Sequence, residues 1–154
     1  MAKISTLNHV RAASVGAVMI VRDMLVAPGD DDQPPPLCGV DGSSCTLTLL
    51  GLDSPEAKKI DYRVKAGFQN RILARATGGK HKTIVVTPDD VAQQVEDELE
   101  LLVALTLNWS GFEDDADQPL PFSKPNVRML YEGAPTIRLQ AAEFIGNRAS
   151  FLGS

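Results

Sequence analysis

The sequence predicts an α+β fold, with a small N-terminal β-hairpin or sheet followed by a mainly α-helical C-terminal bundle. The chain of 154 residues is long enough for one domain with its own hydrophobic core. Two short strand-like runs lie within residues 15–52. In residues 53–154, apolar side chains recur every three or four positions, as they do on one face of a helix. We therefore expect a single domain over residues 1–154.

The N-terminal third is predicted to contain an arm and two strands. Residues 1–14 are expected to form a flexible, loosely held arm. The run VGAVMIVRD, which starts at Val15, is rich in β-branched residues and predicts the first strand. The stretch APGDDDQPPPLCGVDGSSC combines acids, prolines and glycines, a composition that favours a loop. In CTLTLLG, from Cys45, threonines alternate with leucines, which predicts a half-buried second strand.

The first predicted helix begins in the segment DSPEAKK. Ser54 can cap it, and Pro55 suits the first helical position, where no backbone N–H is needed. The predicted apolar stripe of this helix is Ile60, Val64, Phe68, Ile72 and Leu73. We expect the helix to end at Gly78 and Gly79, because glycine readily adopts the left-handed conformation of a helix terminus.

Three further helices are predicted. The second begins at TPDD and ends just before Trp109. Its predicted inward face is Val91, Val95, Leu99, Leu102, Val103 and Thr106. A short third helix covers KPNVRMLYEG, with Val127, Leu130 and Tyr131 inward. The last helix opens at Pro135. Its predicted stripe is Ile137, Ala141, Phe144, Ile145, Arg148, Phe151 and Leu152.

Composition and charge argue against two classes of partner. The net charge of −5 opposes unspecific nucleic-acid binding, because an acidic surface repels phosphate groups. The apolar run over residues 15–21 is too short to span a bilayer, and no cleavage site follows it, so we expect neither a membrane segment nor a signal peptide. Reduced thiols are the expectation for Cys38 and Cys45, with a disulfide as the alternative.

The charges are unevenly distributed along the two long helices. Residues 58–82 hold eight lysines and arginines against Asp61 alone, whereas residues 89–100 hold six acids and no base. One interpretation is that two solvated helix faces attract each other within the monomer. The other is that a basic face of one subunit meets an acidic face of another protein.

The motif search predicts no catalytic, metal-binding or cofactor-binding residue. An EF-hand that started at Glu113 would need a glycine at its sixth position and a glutamate at its twelfth, but Gln118 and Lys124 stand there. The segment TGGKHK lacks the spacing of a phosphate-binding loop. An enzyme that pairs Cys38 or Cys45 with His81 is an alternative that no flanking motif supports.

The stretch NWSGFEDDADQPLPFS predicts a structural joint. Trp109, at the expected helix end, can bury its ring while its indole N–H reaches a carbonyl. Gly111 permits a left-handed turn. Pro121 stiffens the path that docks Phe122 onto the core. We expect this joint to fold two C-terminal helices back against the helix of residues 91–106.

From Leu105 onward the chain resembles the C-terminal region of tail assembly chaperones of long-tailed, siphovirus-type bacteriophages. Members of that family have a W-x-G joint, an acidic segment, a PLPF turn and a short helix, followed by a last helix of the form P-x-I-R-x-Q-v-x-x-F-I-x-x-R-a-x-F. The corresponding residues here are 109–111, 119–122, 125–131 and 135–151. The earlier LTLLGLDSPEAKK is similar to the family's strand, G-x-D-S turn and following helix, so the resemblance covers residues 15–152.

The resemblance implies a non-enzymatic chaperone without cofactors. Such a protein binds the tape-measure protein, a long helical and apolar chain, keeps it soluble, and helps recruit the major tail protein while the tail tube assembles. The resemblance also implies location in the host bacterial cytoplasm and absence from the mature virion. The alternative is a structural virion protein of the head–tail connector or tail tube.

The last helix is the predicted partner-binding segment, because it is strongly apolar and lies at a chain end. The residues expected to carry this binding are Phe144, Ile145, Phe151 and Leu152. The alternative is that these side chains pack into the core of their own chain. A second copy of this chain is a further candidate partner, whereas nucleic acid and membranes are not.

Overall fold

The computed structural model describes residues 9–29, 32–75 and 85–152. Within these ranges the chain forms five α-helices, three β-strands and one 3₁₀ turn. The elements are α1 (His9–Val15), β1 (Ala17–Ile20), β2 (Thr46–Leu49), α2 (Pro55–Arg75), α3 (Pro88–Leu105), β3 (Thr106–Ser110), α4 (Lys124–Gly133), α5 (Pro135–Gly146) and the 3₁₀ turn Arg148–Ser150. This arrangement confirms the predicted α+β class.

The three strands form one antiparallel sheet in the order β1-β2-β3. Leu47, in the middle strand, pairs with Met19 on one side and Trp109 on the other, and all three side chains are buried. Val18 precedes Met19 in β1 and therefore points to the opposite face of the sheet, where it is exposed. One face of the sheet therefore packs on the core and the other is open.

β3 is an unpredicted strand within residues 53–154, the region that the sequence predicts to be mainly α-helical. The segment Thr106–Ser110 follows α3 directly, and its Trp109 lies on a strand instead of at a helix end. Thr106, at the junction, has an extended backbone with φ −83° and ψ 114°. The chain leaves the helix here because pairing with β2 satisfies its backbone hydrogen bonds within the sheet.

The prediction of a loosely held arm over residues 1–14 is wrong from His9 onward. That segment forms α1, and Ala13 is buried. The Ala13 carbonyl accepts a hydrogen bond of 3.0 Å from the backbone N–H of Gly51. A Cβ atom on Gly51 would lie 2.8 Å from the Ala13 Cβ, so the helix packs directly on a glycine. Residues 1–8 lie outside the described residues.

The predicted caps of the two long helices are confirmed. The Ser54 hydroxyl accepts from the Ala57 N–H at 3.3 Å and donates to the Gly51 carbonyl at 2.7 Å. Thr87 and Asp90 form a reciprocal capping box at the start of α3. The predicted end of α2 at residues 78–79 lies outside the described residues.

The core lies between the buried face of the sheet and helices α3 to α5. Its largest fully buried side chains are Tyr131, Leu47, Leu49, Leu102, Leu105, Val21 and Val127. Val127 and Tyr131 of α4 point inward as predicted, and Leu130 is half-buried against the same core. Helix α5 contributes Ile137, Ala141 and Ile145.

The apolar stripes of α2 and of the first half of α3 are not buried as predicted. Ala57 is the only buried residue of α2. Val91 and Val95 of α3 are 52% and 48% exposed, whereas the later Leu99 and Leu102 are buried. Most of α2 and the start of α3 therefore lie beside each other outside the main core.

Candidate functional site

The predicted joint is assembled around Trp109. Its ring is 8% exposed, and its indole N–H donates to the Leu120 carbonyl at 3.0 Å. The ring centroid lies 5.1 Å from that of Phe112 and 5.7 Å from that of Phe122, which meets it edge-on. These contacts fix the segment before α4 onto the sheet, and α4 and α5 then pack against α3 as predicted.

Gly111 forms the left-handed turn that the sequence predicted, and Pro121 lies in the segment that leads to α4. Gly111 has a φ of +89°, and an added Cβ would lie 2.9 Å from the backbone of Cys45 and Ser44. The difference from the prediction is that this turn follows a strand and not a helix. The Pro121 carbonyl accepts from the Asn126 side chain at 2.9 Å, which ties the turn to the start of α4.

Two polar residues of the last helical segment also make structural contacts that were not predicted. The Gln140 side chain accepts from the Arg22 N–H at 2.8 Å and donates to the Arg22 carbonyl at 3.0 Å. Arg148 donates two hydrogen bonds to the Asp53 carboxylate, at 2.6 and 3.1 Å. The glutamine and arginine of the family-like pattern thus hold the C-terminal segment on the N-terminal half of the chain.

The residues predicted to bind a partner mostly pack on their own chain. Ile145 is buried, and Phe144 and Phe151 are half-buried with their rings edge-on at 5.4 Å. Leu152 is the exposed member of the four, at 43%. The structure therefore favours core packing for this segment, the alternative that the sequence left open.

The charges of α2 and α3 pair within the chain. Arg75 donates to the Asp90 carboxylate at 2.7 Å, and Arg63 forms an ion pair with Glu100. The pKa of Asp90 is lowered, first by the hydrogen bond from the Thr87 backbone and then by Arg75. These contacts place the end of α2 beside the start of α3, so the helices are antiparallel, and they favour the intramolecular interpretation of the charge pattern.

A groove runs between α2 and α3 on one face of this helical pair. One cavity of about 330 Å³ is lined by Val64, Phe68 and Val86, among others. A neighbouring hollow of about 230 Å³ is lined by Ile60 and Leu101. The two cavities share Val64, Gln94 and Asp97, so they form one continuous depression with an apolar floor.

The two walls of the groove carry different charges. The α2 wall holds two cations, Lys65 and Arg71. Lys65 donates to Asp61 at 2.8 Å, and Arg71 lies 3.7 Å from the Asp90 carboxylate, so each cation has an acid of this chain beside it. The α3 wall holds Asp97 and Glu98. Neither of these two carboxylates forms an ion pair with any residue that the structure describes. The groove thus has an excess of negative charge along α3.

In the acidic loop after the joint, Asp114 and Glu113 accept hydrogen bonds from backbone N–H groups. One carboxylate oxygen of Asp114 accepts from the backbone N–H groups of Ala116 and Gln118, at 2.9 and 3.0 Å. Glu113 accepts from the Val40 N–H at 2.7 Å. Among the described ranges, no group of three or more histidine, cysteine or acidic side chains is arranged to hold a metal ion.

Cys45 is poorly placed for nucleophilic chemistry. Cys45 is buried, and its thiol donates to the Gly111 carbonyl at 3.3 Å. Burial raises the pKa of Cys45 to about 11, which disfavours the reactive thiolate. Cys38 is exposed, and His81, its candidate partner, lies outside the described residues.

Known proteins add no further constraint on the site. None of the helices in the described part of the chain is long and apolar enough to cross a membrane. No protein-family model, curated protein or solved structure matches the chain. The α2–α3 groove is therefore identified as the candidate site from its own geometry.

Proposed function

We propose that this chain is a tail assembly chaperone of a long-tailed bacteriophage. In this role it binds helical, apolar segments of the tape-measure protein, keeps that protein soluble in the host cytoplasm, and helps recruit the major tail protein. It catalyses no reaction and needs no cofactor. The observation that carries the proposal is the apolar groove between α2 and α3, together with the sequence resemblance of residues 15–152.

The groove has the dimensions and lining that helix-in-groove recognition requires. From Ile60 to Arg71 the α2 wall extends about 16 Å, at about 1.5 Å per helical residue. That length accommodates about three turns of a bound helix, whose apolar side chains at every third or fourth position would contact the groove floor. Burying such a stripe removes apolar surface from water, which is the main driving force for this kind of association.

The charge of the chain supports the same role. A net charge of −5 favours solubility of a complex that contains a long apolar partner. The groove also leaves apolar side chains of α2 accessible, including Phe68, which is 39% exposed. A chaperone needs accessible apolar surface of this kind, because its partner binds only where such surface is not already covered.

The test is co-expression with the tape-measure protein of the same phage, measured as the soluble fraction of that protein. Phe68→Asp places a charge on the groove floor and is expected to abolish solubilisation. Tyr62→Asp is the matched control, since Tyr62 is an aromatic residue of the same helix, 67% exposed, and does not line the groove. Circular dichroism establishes that both variants are folded.

Equal solubilisation by Phe68→Asp and the unchanged chain would contradict the groove as the binding site. Mass spectrometry of purified particles separates the chaperone from the alternative of a structural virion protein. We expect the chain to be missing from the particles. Its presence at a fixed stoichiometry would favour a connector or tail-tube component.

A further inference from the structure

The α2–α3 groove has a directional charge pattern that specifies which helix it binds. Its floor is apolar, and the lysine and the arginine of its α2 wall are each paired with an acid of this chain. Its α3 wall carries Asp97 and Glu98, which form no ion pair with any described residue. Asp97 accepts a hydrogen bond from Gln93 at 3.0 Å, which holds the carboxylate in place without neutralising it. A ligand that covers the floor must bring its flank close to these two acids.

Of the other four carboxylates of α3, three pair with cations of the same chain, and the fourth, Asp89, does not line the groove. Asp90 pairs with Arg75, Glu100 with Arg63, and Glu96 with Arg128. Asp97 and Glu98 differ from the three paired acids because they line the groove and form no ion pair with any described residue. A basic flank on the ligand would supply the missing countercharge.

We infer that the groove binds a basic amphipathic helix of the partner, whose apolar stripe is flanked by lysine or arginine on the side that faces α3. This inference rests on the proposed function and names the class of tape-measure segment that the groove selects. Two basic residues one turn apart would lie opposite Asp97 and Glu98, with the apolar stripe on Val64 and Phe68. An acidic flank would meet like charges and bind more weakly.

The experiment measures binding of fluorescent helical peptides to the full chain by anisotropy. Three peptides share one apolar stripe and differ only in the flank, which carries two lysines, two glutamines or two glutamates. We expect the lysine peptide to bind about fivefold more tightly than the glutamine peptide, and the glutamate peptide to bind most weakly. The preference should shrink as salt is raised, because the flank contacts are solvent-exposed.

Charge reversal identifies the residues responsible. The double variant Asp97→Lys, Glu98→Lys is expected to reverse the order of the lysine and glutamate peptides. The control Asp115→Lys, Glu143→Lys makes the same change in net charge at exposed positions away from the groove, and should keep the original order. An unchanged order in the groove variant, or a reversed order in the control, overturns the inference.

Two further outcomes would also overturn the inference of a basic helical ligand. They separate its failure from a failure of the proposed chaperone function. Suppose that no peptide binds while the chain still solubilises the tape-measure protein in a Phe68-dependent way. The preference for a basic helix is then wrong, and the proposed chaperone function stands. If light scattering shows a dimer of the chain alone that Phe68→Asp dissociates, the groove is occupied by a second copy and not by a basic helix of a partner.

Discussion

The hydroxyl groups of Thr106 and Tyr131 lie 2.7 Å apart, and both side chains are fully buried. The Thr106 hydroxyl also donates a hydrogen bond of 2.7 Å to the Leu102 carbonyl. The contact therefore joins the end of α3, the first residue of β3 and the last turn of α4. It holds the helix-to-strand junction in place from within the buried core.

This buried pair predicts a specific loss of stability in alkali. Burial raises the pKa of Tyr131 to about 12, although the Thr106 hydrogen bond lowers it. An unfolded tyrosine ionises near pH 10, so its stabilising contribution is complete below pH 10 and is lost as the pH rises toward 12. Between pH 9 and 11 the unchanged chain should lose about 1 kcal/mol more unfolding free energy than Tyr131→Phe.

Urea denaturation of the two proteins at several pH values checks this prediction. The raised pKa of Cys45 also makes the chain lose stability in alkali. This loss is the same in both proteins and cancels in the comparison. Parallel pH profiles would mean that Tyr131 ionises as readily in the folded chain as in the unfolded one. At neutral pH, Tyr131→Phe should cost about 1 kcal/mol for the lost hydrogen bond.

The tight turn after β3 predicts a second effect. Gly111→Ala should destabilise the chain by about 3 kcal/mol, because the backbone there has a φ of +89° and the new Cβ would lie 2.9 Å from two backbone atoms. Gly133→Ala is the control, since Gly133 lies in a helix with open space around it. That variant should be as stable as the unchanged chain or up to about 1 kcal/mol more stable.

Thermal or chemical denaturation gives both values. A small effect at Gly111 would show that Cys45 and Ser44 move aside readily, and the rigid joint around Trp109 would then have to be reconsidered. A large loss at Gly133 would show that the end of α4 is more constrained than its surroundings indicate.

The Gln140 contact with Arg22 predicts a pH-dependent variant. Gln140→Glu keeps an acceptor for the Arg22 N–H but, when ionised, places a carboxylate beside the Arg22 carbonyl. The pKa of the introduced carboxyl should therefore rise in the folded state, so the variant is most stable at low pH and loses stability as the pH rises through that pKa. We expect a cost of about 2 kcal/mol at pH 7, partly recovered at pH 4.

The matched control is Gln140→Met, which removes both hydrogen bonds without adding a charge. Its cost relative to the unchanged chain should be nearly the same at both pH values. If the glutamate and methionine variants have identical pH profiles, the Gln140 side chain does not contact the Arg22 backbone in solution.

The features that the sequence predicted correctly depend on local chemistry. Caps such as Ser54 and Thr87 are recognisable because the residues that satisfy a helix start lie within one turn of it. The joint around Trp109 was recognisable because tryptophan, a left-handed glycine and prolines each restrict the chain in a known way. Neither prediction needed knowledge of distant contacts.

The features that were missed depend on contacts between distant parts of the chain. Helix α1 is held by Gly51, and the short β3 forms because β2 offers it an edge to pair with. The groove was missed for a related reason. Periodicity reveals that Val64 and Phe68 share an apolar face, but it does not reveal whether another element covers that face. For Ile145 the sequence left partner binding and core packing open, because the apolar pattern alone does not reveal that this helix end packs inward.

Helix α2 has 21 residues and buries only Ala57, so little tertiary structure prevents it from opening on its own. Its amide hydrogens should exchange with solvent through brief local fluctuations, whereas those of β2, in the middle of the sheet, should exchange only when the whole domain unfolds. An occupied groove would slow exchange in α2 and leave β2 unchanged. The chain would then carry in α2 a segment that becomes rigid at the moment its cargo is captured.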